Sequence, residues 1–317
     1  MATVFDRIRG RCAEVAARAD HVRIDEDGLA AFAETLEMDV PDDDPGHDRL
    51  GDDESATAYV MALDAINFGS GYFPYIRKRP EHSGYHTVAA SLRDHVLDTG
   101  PISVTWLRQL TDTQCAELFG QSLDEPLPAE LMGHFASALR DLGGFVDRVG
   151  GGSFLAVVAG AERSAARLVE MLDEMPAYHD VHDHRGLEVP LYKRAQITAF
   201  DLASAFDGTG PGEFGDLDRL TMFADNLVPH VLRVEGALRF SDELVARIDA
   251  AEDIASGSEP EVEIRACGVH AVEMLVDELR TRGVDTTAGR LDGALWRMGG
   301  EDRYKALRRH RTRCVFY

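Results

Sequence analysis

The residues best suited to chemistry lie in two short stretches. Leu191-Tyr192-Lys193-Arg194-Ala195-Gln196 carries a cationic pair, and Thr221-Met222-Phe223-Ala224-Asp225 ends in a carboxylate among mostly apolar neighbours. An unpaired buried charge is costly, so Lys193, Arg194, Asp201 and Asp225 beside hydrophobic faces are expected to meet one another or a small polar ligand. A carboxylate in Asp225's setting can take a proton from water or offset positive charge developing on a sugar ring. Spacing alone favours the plainer role of capping a helix that Pro229 would begin. On a helix Lys193 and Arg194 diverge by about 100°, so one of the two serves structure. Asp201 falls two turns beyond Lys193 on the same face, where it could line a pocket wall or join a surface network.

Asn67-Phe68-Gly69-Ser70-Gly71-Tyr72-Phe73 is a glycine-spaced aromatic loop. It could stack a planar base, or Phe68 and Phe73 could pack into the core; it lacks the strand and lysine of a phosphate-binding loop. Glu261-Val262-Glu263-Ile264-Arg265 places Glu263 and Arg265 where they could pair and fix a helix start. His179, His182 and His184 are read as a polar turn with surface histidines rather than a metal site, since no further supported ligand is identifiable. Leu291-Asp292-Gly293-Ala294-Leu295-Trp296 and the ending His310-Arg311-Thr312-Arg313-Cys314-Val315-Phe316-Tyr317 are too rich in aromatic and guanidinium groups for a frayed tail, and are expected to dock onto the domain.

The elements that would position these groups are helices. Apolar residues recur at three and four, as in Phe5, Ile8, Cys12 and Val15, then Leu29, Phe32 and Leu36. Further helices are expected at about 56–68, 84–98, 104–109, 112–119, 128–148, 161–173, 191–206, 217–227, 229–236, 242–250, 259–282 and 287–298, with Thr111 and Gln114 forming a capping box. Strand signals are confined to Phe154–Val158 and Leu187–Leu191, so the fold class is mainly α. Residues 231–244 have the pattern of a helix-hairpin-helix or of an ordinary αα-hairpin. The aspartate-rich stretch Asp39–Ser55 is read as a solvated loop, because it lacks calcium-loop spacing. Residues 1–55 are expected to pack on a helical domain spanning 56–317.

With 317 residues, 44% of them hydrophobic, the chain can bury a sizeable core. A net charge of -23 argues against binding nucleic-acid polymers or anionic membranes, leaving small molecules recognised through a local basic site. Only three of the 33 basic residues are lysines, so Lys193 stands out. Four scattered cysteines suggest neither zinc nor disulfides and favour a reduced cytoplasm, and no apolar run is long enough to span a bilayer.

Together, Val189–Ile197, Leu220–Asp225, Glu261–Ala266, Leu291–Trp296 and His310–Tyr317 resemble the queuosine salvage protein family, in order and from about Met61 to the C-terminus. The resemblance implies an all-helical fold related to helix-hairpin-helix DNA glycosylases. It implies hydrolysis of the N-glycosidic bond of queuosine 5′-monophosphate, releasing queuine for tRNA modification, without metal or redox cofactor. Asp225 would be the catalytic acid/base carboxylate and Lys193 a polar partner of the ligand, counted with it among the catalytic residues. Asn67, Phe68 and Tyr72 would hold the 7-deazaguanine, with Asp201, Glu263 and Arg265 in or behind the wall, and Phe223, Asp292 and Tyr317 completing the substrate-binding set. The alternatives are a hydrolase of a related 7-deazapurine nucleotide or nucleoside, and a non-catalytic nucleotide-binding protein. A monomer is expected. Two stretches depart from the usual family pattern: Asn226-Leu227-Val228-Pro229-His230 stands where Tyr-Arg-x-Pro-Gln is common, and Gly69-Ser70-Gly71-Tyr72 replaces bulkier aromatic residues.

Overall fold

Residue Glu259 begins a helix, Glu259–Thr281, that is wrapped on almost every side in the computed structural model, which describes residues 2–38 and 48–317. Val262, Ile264, Cys267, Val269, Val272 and Leu275 are all buried, on faces that a simple amphipathic helix would leave partly wet. Such a helix needs neighbours all round. They are Val4–Ala16, Glu26–Thr35, Val228–Val234 and Ala288–Met298. A second buried helix, Asp53–Ala65, packs against Lys193–Ala205 and Pro126–Gly150. The architecture is mainly α. Among the described residues the strands form two antiparallel ribbons, Val22–Ile24 with Leu238–Phe240 and Val181–His184 with Leu187–Pro190.

Local sequence accounts for most helix boundaries. Thr3 and Thr111 each close a capping box, the latter through Thr111 N to Gln114 Oε1 at 3.0 Å and Gln114 N to Thr111 Oγ1 at 3.2 Å. Asp25, Asp52, Ser83, Ser153 and Ser241 cap other helices. Part of the acidic stretch, residues 39–47, lies outside the described residues. Within the remainder, Asp52 caps Asp53–Ala65, Asp48 pairs with Arg93 at 2.6 Å, and Glu54 accepts from Ser153 and from the amides of Phe154 and Leu155.

Three expectations are corrected. Phe154–Gly160 is a helix, not a strand, because Glu54 and Ser153 satisfy its first amides. Between Val228–Val234 and Asp242–Asp249 the chain turns at Gly236, then forms the Leu238–Phe240 strand, so it is not a bare hairpin of two helices. The expected helix 217–227 reduces to one 3₁₀ turn, Leu217–Arg219, followed by extended chain through Asp225. Among the described residues, no single helix is long and apolar enough to cross a membrane.

Candidate active site

The extended run from Leu220 to Asp225 is held by side chains from three other elements. Gln196 of the Lys193–Ala205 helix accepts from Thr221 N and donates to Thr221 Oγ1, each at 2.9 Å. Asp292 of the Ala288–Met298 helix accepts from Phe223 N at 2.8 Å. Arg265 of the buried Glu259–Thr281 helix donates from Nε to the Ala224 carbonyl at 2.9 Å. Buried backbone groups must be paired. Here distant side chains replace the helical ladder, which is why an apolar run with helical composition stays extended. The two stretches singled out in sequence are thus joined through Gln196 and Thr221.

Asp225 ends this run. Its Oδ1 accepts from Leu227 N at 2.8 Å and Val228 N at 3.0 Å, capping Val228–Val234. The capping role and the chemical role are compatible, since the cap engages one oxygen and leaves the second for a ligand or water. The side chain is half-buried. Burial raises its pKa above the ordinary carboxylate value, opposed by the charge of Lys193 and by the two amides.

Lys193 is the first residue of its helix and is buried, with Nζ donating to the carbonyl and Oδ1 of Asn67, both at 3.0 Å. Asn67 in turn donates to Asp64 at 3.4 Å. The preceding Tyr192 has φ 50°, a left-handed conformation rare for a bulky residue, and it sits where the strand hands over to this helix. Burial pushes the Lys193 pKa down, against the pull of Asp225, Asp64 and Asp292. Asp292, 4% exposed, is raised well above its ordinary value, first by burial and then by the charge of Asp225, with Asp201 adding to the repulsion. Asp201 is also buried, on the helix that carries Lys193. Several carboxylates around one ammonium cannot all ionise. Asp292 is raised further than Asp225.

Arg194 takes the structural role that adjacency to Lys193 required. It donates to the Ala65 and Ala177 carbonyls, and its guanidinium lies 4.7 Å from the Phe68 ring centre and 4.6 Å from that of Tyr178. Phe68 is buried against Phe135 with ring centres 5.0 Å apart. Phe223 meets Phe200 edge-on at 5.4 Å. Tyr72 donates its hydroxyl to Glu130 at 2.9 Å. Gly71 is required by the docked tail, because a Cβ there would lie 2.2 Å from the Thr312 carbonyl oxygen. That tail is pinned by Gly69 N to Tyr317 O at 2.9 Å and by Arg265 under the Tyr317 ring at 4.6 Å.

Glu263 and Arg265 do not pair with one another. Glu263 accepts from Asp20 N at 3.2 Å and His21 N at 2.6 Å, and meets His184 Nε2 at 3.0 Å, anchoring the N-terminal segment and the 181–190 ribbon. His184 is therefore buried rather than a surface histidine. Arg265 binds Asp180 through two bonds of 3.0 and 2.6 Å and reaches Glu261 at 3.4 Å. Burial opposes the Asp180 charge, yet Arg265 overcomes it and holds the carboxyl far below its usual range. Asp180 also accepts from Lys193 N at 3.1 Å. One carboxylate therefore ties the arginine that holds the Asp225 segment to the start of the helix that bears Lys193. Asp180 escaped the sequence reading because it sits between two histidines in a polar turn, with no periodicity to mark it. His21, Glu259 and Glu263 form a metal-sized group, but Arg185 already supplies positive charge there, 2.8 Å from Glu259 and 3.9 Å from Glu263.

Asn67, Lys193, Phe223, Asp225 and Asp292 are linked by direct contact, chain adjacency or mutual charge, with Asp201 within electrostatic reach. Arg265 stands behind them as a positioning residue with the Tyr317 ring stacked on it, whereas Tyr72 contacts Glu130, and Glu263 contacts the N-terminal segment and His184. A family profile described as "Queuosine salvage protein" matches residues 47–317. A queuosine 5′-phosphate N-glycosylase/hydrolase of Sphaerobacter thermophilus is 36% identical over 96% of this chain and 95% of its own length. Proteins of the same description from Mus musculus and Dictyostelium discoideum are 34% and 30% identical, covering 84% and 83% of this chain and 83% and 79% of their own. The match takes in every residue of the cluster, and the chain belongs to the queuosine salvage protein family.

Proposed function

We propose that this protein hydrolyses the N-glycosidic bond of queuosine 5′-monophosphate, releasing queuine and ribose 5-phosphate. The observation that carries the reading is the extended Leu220–Asp225 run, pinned by Gln196, Asp292 and Arg265, which presents a half-buried carboxylate beside Lys193. The bond electrons leave with the base, and the sugar acquires oxocarbenium character. The Asp225 carboxylate offsets that charge and takes a proton from the attacking water, in a partly desolvated setting where each interaction is stronger than in bulk water. Asp292, whose carboxyl burial pushes well above the ordinary range, serves as the proton donor to the departing base. Lys193 opposes the rise in Asp225's pKa and so favours its ionised form. Asn67 holds the Lys193 amine, and a chain of net charge -23 suits a free nucleotide better than a polymer.

Purified protein incubated with queuosine 5′-monophosphate, with chromatography for free queuine, tests the proposal beside an Asp225→Asn control. Release by the wild type alone supports it. Binding without release points to a nucleotide-binding protein, and release only from another 7-deazapurine nucleotide reassigns the substrate.

A further inference from the structure

The Leu220–Asp225 run has a further support, from a fourth element and at the end away from Asp225. Arg9 of the Val4–Ala16 helix donates from Nη2 to the carbonyls of Arg219 at 2.7 Å and Leu220 at 3.3 Å. These carbonyls lie where the 3₁₀ turn Leu217–Arg219 gives way to extended chain. Arg9 is itself held, because its Nε meets Glu273 Oε2 at 3.0 Å, both side chains being half-buried. Glu273 stands about two turns beyond Arg265 on the Glu259–Thr281 helix. One helix therefore steadies both ends of the run, through Arg265 at the Ala224 carbonyl and through Glu273 and Arg9 at the Leu220 carbonyl. Asp6, a neighbour of Arg9 on the same helix surface, accepts from Arg219 Nη2 at 2.6 Å, so the N-terminal helix grips the entry to the run twice. That helix precedes the stretch matched by the family profile, residues 47–317.

A planar guanidinium with Nη2 forked between two carbonyls and Nε on a carboxylate is fixed in position and orientation, and it fixes the backbone it holds. A carboxylate that acts on the transition state must be placed closely, since a shift of about 1 Å caused far from the chemistry can cost ~10²-fold in rate. We propose that Arg9 is a positioning residue of the reaction: by holding the start of the Leu220–Asp225 run it sets where Asp225 stands, which makes the N-terminal helix part of the working site. This rests on the function proposed above.

The test is steady-state kinetics of the full chain on queuosine 5′-monophosphate, for the wild type, Arg9→Gln, Arg9→Lys, Glu273→Gln, the double variant Arg9→Gln/Glu273→Gln and, as a control, Arg7→Gln. Arg7 lies on the same helix and meets Glu170 at 3.7 Å in solvent. Rates are taken per folded molecule, well below each variant's melting temperature, with hydrogen exchange of the 219–225 amides alongside. Arg9→Gln should lower kcat by about tenfold or more with KM nearly unchanged, and Arg9→Lys should recover part of it, since an ammonium keeps the charge but loses the fork. Arg7→Gln should match the wild type, and Glu273→Gln should add little once Arg9 is gone. Full kcat in Arg9→Gln, the same loss in Arg7→Gln, or a loss that vanishes when only folded molecules are counted would overturn the assignment, and a fully additive effect of Glu273→Gln would break the link through Glu273. If the wild type releases no queuine, the proposed reaction falls and hydrogen exchange decides what Arg9 does. Faster exchange of residues 219–225 in Arg9→Gln but not in Arg7→Gln supports the hold on the run, and equal exchange in both removes it.

Discussion

Two groups of buried charges adjoin in this protein and differ in how they are satisfied. Around Arg265, the carboxylates of Asp180 and Glu261 and the Ala224 carbonyl occupy the guanidinium, and the pairing drives Asp180's pKa far down. Around Lys193, burial raises Asp225 and Asp292 and lowers the amine, so each group is held against its preferred charge state. The first arrangement is scaffold, because nothing is gained by moving a proton there. The second is poised, because protons are weakly assigned among several groups. Asp180 joins them by bonding both Arg265 and the Lys193 amide. Satisfied charge thereby holds unsatisfied charge in place.

The contrast breaks most visibly at Asp225. Asp225→Asn keeps an oxygen for the Leu227 and Val228 amides, so the fold and nucleotide affinity should persist while queuine release falls by ~10³-fold or more in single-turnover assays. Asp180→Asn attacks the scaffold instead. It leaves Arg265 short of a buried partner, and denaturant melts should show a loss of about 3–5 kcal/mol, the cost of breaking one side of a buried pair. Were Asp180→Asn to impair release with stability unchanged, the division between scaffold and chemistry would be wrong.

Lys193→Met should lower kcat by about 10–100-fold, as for loss of one electrostatic partner. It should also move the acid limb of the pH–rate profile. Lys193 lowers Asp225's pKa, so without it Asp225 protonates at higher pH and activity is lost earlier on acidification. In the wild type that limb should already lie above the ordinary carboxylate value of 3.8. The smallest effect is expected from Asp292→Asn on stability. The folded-state pKa of Asp292 is raised, so its favourable contribution is complete below the unfolded value and is lost as pH rises towards the folded one. The variant has no proton to give up and its oxygen can still accept from Phe223 N. Its melting temperature relative to wild type should therefore rise modestly from acid to neutral pH, and a flat difference across that range would show that Asp292 ionises freely.

Helix starts were legible where the device is local, as in the Thr111–Gln114 capping box. That Lys193 and Asp225 would find polar partners was legible too, because charge among apolar neighbours demands a partner whatever the fold. Phe154–Gly160 and Leu220–Asp225 were misread for a shared reason. Both runs have the composition of either a helix or a strand, and their state depends on where backbone amides find acceptors: Glu54 for one, Gln196 and Asp292 for the other.

By itself, then, the sequence determined the helical class, most helix boundaries, the order of the family's motifs and the pair of charges at the centre. These follow from periodicity, caps and the cost of burying charge, all of which act within a few residues or on a single side chain. Only the tertiary structure decided that Asp225 stands on extended chain, that Glu263 and Arg265 serve different neighbours, and that Asp180 links scaffold to site. Those outcomes depend on side chains far apart in sequence meeting backbone groups that local structure leaves open, and no local pattern records such meetings.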